Sequence, residues 1–148
     1  MTRAVDIAAH ILGRIGPMDA MKLQKLVYYA QSWALALRGE ALFDEPIEAW
    51  AFGPVTYSLF ERHRGRFVVA DIGEAQPEGL ASEELRLVDS VLSHYGQLDG
   101  AQLSELTHAE EPWCEARRGV PEGSRSQQTI SLETMARFYR RQTPPFAW

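Results

Sequence analysis

Apolar residues recur at three- and four-residue steps through most of this chain, the spacing that lays one stripe along a helix. Ile7, Ile11, Leu12 and Ile15 set a first helix within Ala4 to Ile15, and Gly16-Pro17 stops it. Asp19 is placed to cap a second helix running to Arg38. In it Leu23, Leu26, Val27, Ala30, Ala34 and Leu37 make one stripe that ends at Gly39. Tyr28, Tyr29 and Trp33 carry the apolar character beyond that stripe, which predicts neighbours on several sides.

From Leu42 to Phe52 the period changes. Ile47, Ala49 and Ala51 alternate with Glu48, Trp50 and Phe52, which predicts a short strand with two usable faces. Phe43 would begin its partner strand, with Asp44-Glu45-Pro46 as the turn. Gly53-Pro54 reads as an abrupt change of direction, the proline opening a third helix from Val55 to Arg64 with Leu59 and Phe60 inward. Gly65 to Gly79 reads as a mobile loop with one short strand near Phe67-Val68-Val69.

The helical period then returns. Ser82 is placed to cap a fourth helix carrying Leu85, Val88, Leu92 and Tyr95, which Gly96 ends. Asp99 with Gln102 is a capping-box pair opening a fifth, Ala101 to His108, with Leu103 and Leu106 on one side. Glu111-Pro112-Trp113 restarts a helical segment through Arg118, and Gly119 to Ser126 is a polar connection. Ser131 caps a last helix with Leu132, Met135, Ala136 and Tyr139. The expected fold is mainly α, a compact single-domain bundle of about six helices with a minor β-hairpin near residues 42–52. Residues 1–142 form the domain, and 143–148 a flexible, extended tail.

Composition narrows the function classes. The 148 residues make one ordinary domain able to bury a core unaided, and the single cysteine, Cys114, excludes an intramolecular disulfide and a multi-cysteine zinc site. Asp6 and His10 interrupt what would have to be the apolar core of a signal peptide, and no run approaches the ~20 apolar residues of a membrane span. A cytoplasmic protein is expected, with no membrane partner. A net charge of -5 argues against whole-surface attraction to nucleic acid.

Catalytic chemistry finds little support. His108, Glu110 and Cys114 resemble the His-x-Glu half of a zinc deaminase, but that chemistry needs two further cysteines. The reading left to His108 is a local hydrogen bond at a helix end beside a packed Trp113. There is no nucleophile elbow and no phosphate-cradling loop, so no enzyme and no cofactor are expected. Arg62, His63, Arg64 and Arg66, and likewise Arg137, Arg140 and Arg141, end their helices, where the helix dipole favours cations. Together they support an alternative reading, a nucleic-acid-binding regulator.

Four tryptophans and five tyrosines are a large aromatic investment for this length, and such side chains fill cores or serve as interface anchors. Core is the expected place for Trp33 and Trp113. Trp148, behind Pro144-Pro145, is a candidate partner contact.

Met21-Lys22-Leu23-Gln24-Lys25-Leu26-Val27-Tyr28-Tyr29-Ala30-Gln31, followed by Ile47-Glu48-Ala49-Trp50-Ala51-Phe52-Gly53-Pro54-Val55, resembles the Panacea antitoxin domain, which includes SocA-like antitoxins and phage-associated proteins. Leu103 to His108 with Pro112-Trp113 is similar to a third block of that family. The resemblance spans about residues 4 to 140. It implies a mainly helical domain that binds and neutralises a cognate protein toxin and, in the SocA-like branch, an adaptor that delivers the toxin to an AAA+ protease. Tyr28, Tyr29, Trp50, Phe52 and Tyr57 are then the candidate protein-binding residues, as anchors or as the wall supporting them, together with Trp148.

Overall fold

The longest helix, α2 (Ala20–Arg38), is the axis of the structure. Its ends are fixed locally: the Asp19 carboxylate accepts the Lys22 amide at 2.8 Å, and Gly39, at φ 75°, turns its own amide back to the Leu35 carbonyl. Every residue from Leu23 to Leu35 is buried. A helix buried all round must be enclosed. The enclosing helices are α1 (Ala4–Ile15), α4 (Ser82–Tyr95), α5 (Gly100–His108) and α7 (Leu132–Arg140), with α3 (Tyr57–His63) and α6 (Glu111–Ala116) completing the set. The computed structural model describes residues 2–148, and among them there are seven helices and two small antiparallel sheets. None of these helices is long and apolar enough to cross a membrane.

Tyr28, Tyr29, Trp33 and Tyr139 are among the largest fully buried side chains; the tyrosines pack edge to face across α2 and α7, and Trp33 is tilted against Tyr139. Tyr29 also stacks on Tyr95 of α4, ring centres 4.0 Å apart. The Phe146 ring closes on Trp33 at 5.3 Å, while Trp148 stays 57% exposed.

The mainly α architecture matches the expectation, and the exceptions are instructive. The hairpin is displaced: β2 (Ile47–Trp50) pairs with β3 (Gly53–Thr56), so the turn is Ala51-Phe52, and Phe43 is not its partner. Pro54 lies in a strand rather than opening a helix, and α3 begins only at Tyr57. The proline is tolerated because its partner Ala49 spends its amide on Gln128 and its carbonyl on Arg117, so that pair exchanges no hydrogen bonds. The short strand at Val68–Val69, β4, pairs with β1 (Met18–Asp19). Ser82 is the first residue of α4 and not its cap; Glu84 instead accepts the Ala81 amide at 2.9 Å. The capping box of Asp99 and Gln102 and the Ser131 cap are present as expected.

Candidate functional site

Two glutamines of α2, two turns apart, decide where the loops lie. Gln24 Oε1 accepts the Thr56 amide at 2.8 Å and its Nε2 donates to the Thr56 carbonyl at 3.2 Å, so its amide pairs with β3 as a neighbouring strand would. Gln31 does the same for the chain after α2, donating to the Phe43 carbonyl and accepting the Leu42 amide. The Gln24 Nε2 also lies 3.0 Å from His63 Nε2. Only the amide can donate there, so the ring nitrogen accepts and His63 is neutral, in keeping with burial lowering its pKa.

The other edge of the hairpin is held by residues 128–130. Ala49 donates to the Gln128 carbonyl at 2.8 Å, and Ile130 donates to the Ile47 carbonyl at 2.8 Å. Arg117, buried and with no carboxylate partner among the described residues, donates to the carbonyls of Ala49, Pro121 and Ser124 and thereby fixes the polar connection beside β2. A hairpin clamped along both edges presents its turn rigidly.

That turn overhangs a groove of about 730 Å³. Trp50 from β2, and Tyr57 and Phe60 from α3, meet on one side as a cluster, with the Trp50 and Phe60 ring centres 5.0 Å apart. Phe52 stands at the rim, 70% exposed. Arg64 donates to the Tyr57 hydroxyl at 2.8 Å and lies over the Phe60 ring, while Arg125, Ser126 and Gln127 form the facing wall. Among the described residues no acidic one lines it, although the Glu48 carboxylate accepts the Trp50 indole N–H at 2.8 Å.

Three of the six candidate residues, Trp50, Phe52 and Tyr57, are therefore brought together. Tyr28 and Tyr29 are not among them: both are buried in the core, packed against Tyr139 and Tyr95. Trp148 lies apart, on the tail that packs over Trp33. Phe60 was expected inward and Arg64 in a helix-ending basic cluster, whereas both line the groove; Arg125 and Gln24 carried no expectation, although two amides seven positions apart on a buried helix were a readable sign of loop clamps.

Beneath the turn lies Lys25, 2% exposed. Burial pushes its pKa down to about 7, with the Asp19 charge pulling weakly the other way. Gly53 sits over it.

The residues weighed for catalysis are engaged separately. Glu110 Oε1 accepts hydrogen bonds from the Tyr29 and Tyr139 hydroxyls at 2.7 and 2.8 Å, while burial raises its pKa against the pull of both. The His108 ring stacks on Trp113 at 4.0 Å, and the Cys114 thiol donates to the His108 carbonyl. Among the described residues no group of three or more His, Cys, Asp or Glu is placed to hold a metal. Of the arginines read as a basic face, Arg62 and Arg66 donate to the carbonyls of Gly73 and Asp71, Arg140 to that of Leu35, and Arg137 bridges Glu111 and Glu115.

The family described as Antitoxin SocA-like, Panacea domain, matches residues 23–114, more than half of the chain. That stretch holds α2, the hairpin, α3 and Trp113; the wall carrying Arg125 lies beyond it. No curated protein and no solved structure matches the chain.

Proposed function

The chain belongs to the SocA-like antitoxin family through its Panacea domain, and on that premise we propose that it neutralises a cognate protein toxin by binding it directly at the aromatic groove. The observation that carries this is Phe52, a large apolar side chain held 70% exposed on a hairpin clamped at both edges, beside Trp50, Tyr57 and Arg64. Exposing such a ring has no folding benefit, and aromatic residues with arginine are the composition of interface hot spots. An interface of standard size takes about 800 Å² from each partner. The chain's surface is 7606 Å², so the groove and its surroundings offer that area without involving the opposite side.

Delivery of the bound toxin to an AAA+ protease is a second reading. It is favoured by Trp148, which is exposed near the Trp33 end of α2, whereas the groove lies over the Gln24 end. One partner at each place would make an adaptor.

The test is co-expression with the product of the adjacent gene. The intact chain is expected to rescue growth, and Phe52→Asp to lose rescue with its melting temperature unchanged. No rescue by the intact chain, or full rescue by both Phe52→Asp and Trp50→Ala, removes the proposal. The adaptor reading further requires that the toxin's half-life shorten when the antitoxin is present, and that Trp148→Ala restore the half-life without restoring toxicity.

A further inference from the structure

Resting on the reading of the groove as the toxin-binding site, we infer that its occupant is an acidic peptide segment: a large apolar side chain, aromatic or aliphatic, with aspartate or glutamate within a few residues on either side. The argument is charge complementarity. The molecule as a whole is acidic at -5, yet the aromatic cluster is bracketed by two guanidiniums, against one carboxylate bonded to it, that of Glu48, which lies outside the groove lining and accepts the Trp50 indole N–H at 2.8 Å. Arg64 is held in place by the Tyr57 hydroxyl and the Phe60 ring, neither of which neutralises it. Arg125, on the facing wall, has no hydrogen-bond or ion-pair partner among the described residues. Some other arginines are paired with the protein's own acids, Arg137 with Glu111 and Glu115 and Arg38 with Glu83, while Arg62, Arg66 and Arg117 spend their donors on backbone carbonyls.

The geometry adds to this. Arg64 is oriented before any ligand arrives, so its planar fork can meet a carboxylate with little further ordering. The rings between the two arginines supply an apolar seat about the size of one large side chain with its neighbours. Carboxylates on both flanks of an apolar anchor would then reach one guanidinium each. A single strand of nucleic acid could also stack on Phe52, but two arginines on a surface of net negative charge make a poor track for a polyanion.

A random peptide library displayed on phage, selected on the full chain and counter-selected on a Phe52→Asp, Arg125→Glu variant, tests the assignment. Enriched sequences are expected to carry Asp or Glu beside Phe, Trp, Leu or Met. A synthetic peptide of the enriched sequence should lose affinity roughly tenfold or more with Arg125→Glu, and again when its own acids become amides. Neutral or basic enriched sequences, or no enrichment over the variant, overturn the inference. So would a dimer of the free chain that Phe52→Asp dissociates, which gives the groove to a second copy. Tight binding of oligo-dT that the same variant abolishes would likewise assign the groove to nucleic acid. If acidic peptides bind but do not compete with the toxin, the groove chemistry stands and the toxin-binding reading of this site fails. If the toxin competes while the enriched peptides prove neutral, the reverse holds.

Discussion

Lys25 passes so close beneath Gly53 that a β-carbon at position 53 would stand 2.5 Å from its Cε. Gly53 also has φ 119°, a backbone conformation that side chains disfavour, and it supplies the positive φ that Ala51 and Phe52 do not. The only positive φ outside glycine among the described residues is at Glu74. Gly53→Ala is therefore expected to cost about 2–4 kcal/mol, from backbone strain and the close approach together. Urea denaturation measures it. In a Lys25→Ala background the same substitution should cost less, because the clash is removed and the strain is not; equal costs in both backgrounds would show that the contact does not matter.

Lys25 also sets a pH dependence. Its pKa is about 7 in the folded chain and 10.5 in the open chain, so between those values the unfolded state keeps a proton that the folded state has released. Stability then rises with pH over that window, by at most about 1.4 kcal/mol per unit. Tyr28, Tyr29, Tyr95 and Tyr139 act oppositely: burial raises each above the usual 10, so the unfolded chain ionises first and stability falls beyond that pH. A maximum between pH 7 and 10 is expected in urea midpoints. Lys25→Met should raise stability at pH 7 and flatten the rise, and a wild-type midpoint that stays level from pH 7 to 9 would contradict the assignment.

Gln24→Ala leaves both the Thr56 amide and its carbonyl without their partner and removes the neighbour of His63. A loss of about 2–4 kcal/mol is expected, since each orphaned buried group costs on the order of 1–3 kcal/mol. Amide exchange locates it. Thr56 should exchange faster while Ile130, held on the opposite edge by Ile47, keeps its protection; uniform acceleration would mean that the clamp is global rather than local.

Arg117 touches no part of the groove surface yet holds the wall from which Arg125 projects, through the carbonyls of Pro121 and Ser124. Arg117→Ala is expected to speed amide exchange in residues 121–126 and to weaken toxin or peptide binding roughly tenfold, with a loss of about 2–3 kcal/mol in stability. Arg117→Lys should not rescue, because one ammonium cannot span three carbonyls as the guanidinium fork does. Unchanged binding with a mobile wall would mean that the occupant does not need Arg125.

Helices, caps and the all-round burial of α2 were legible because each is written within a few residues of itself. A period of 3.6 reports that a face is covered, and Asp19, Asp99 and Ser131 find their amide partners three residues on. The aromatic and glycine blocks further identified the family. The hairpin was misplaced because its turn, Ala51-Phe52, carries no turn residue, and its register is enforced from outside by Gln24 and by residues 128–130. Which aromatics stay exposed was likewise beyond the sequence: Tyr28 and Phe52 are both large aromatics, and only packing buries one and exposes the other. Periodicity states that a side chain is covered and never by what, so the groove, whose walls come from β2, α3 and the distant Arg125 segment, is decided by tertiary contacts alone.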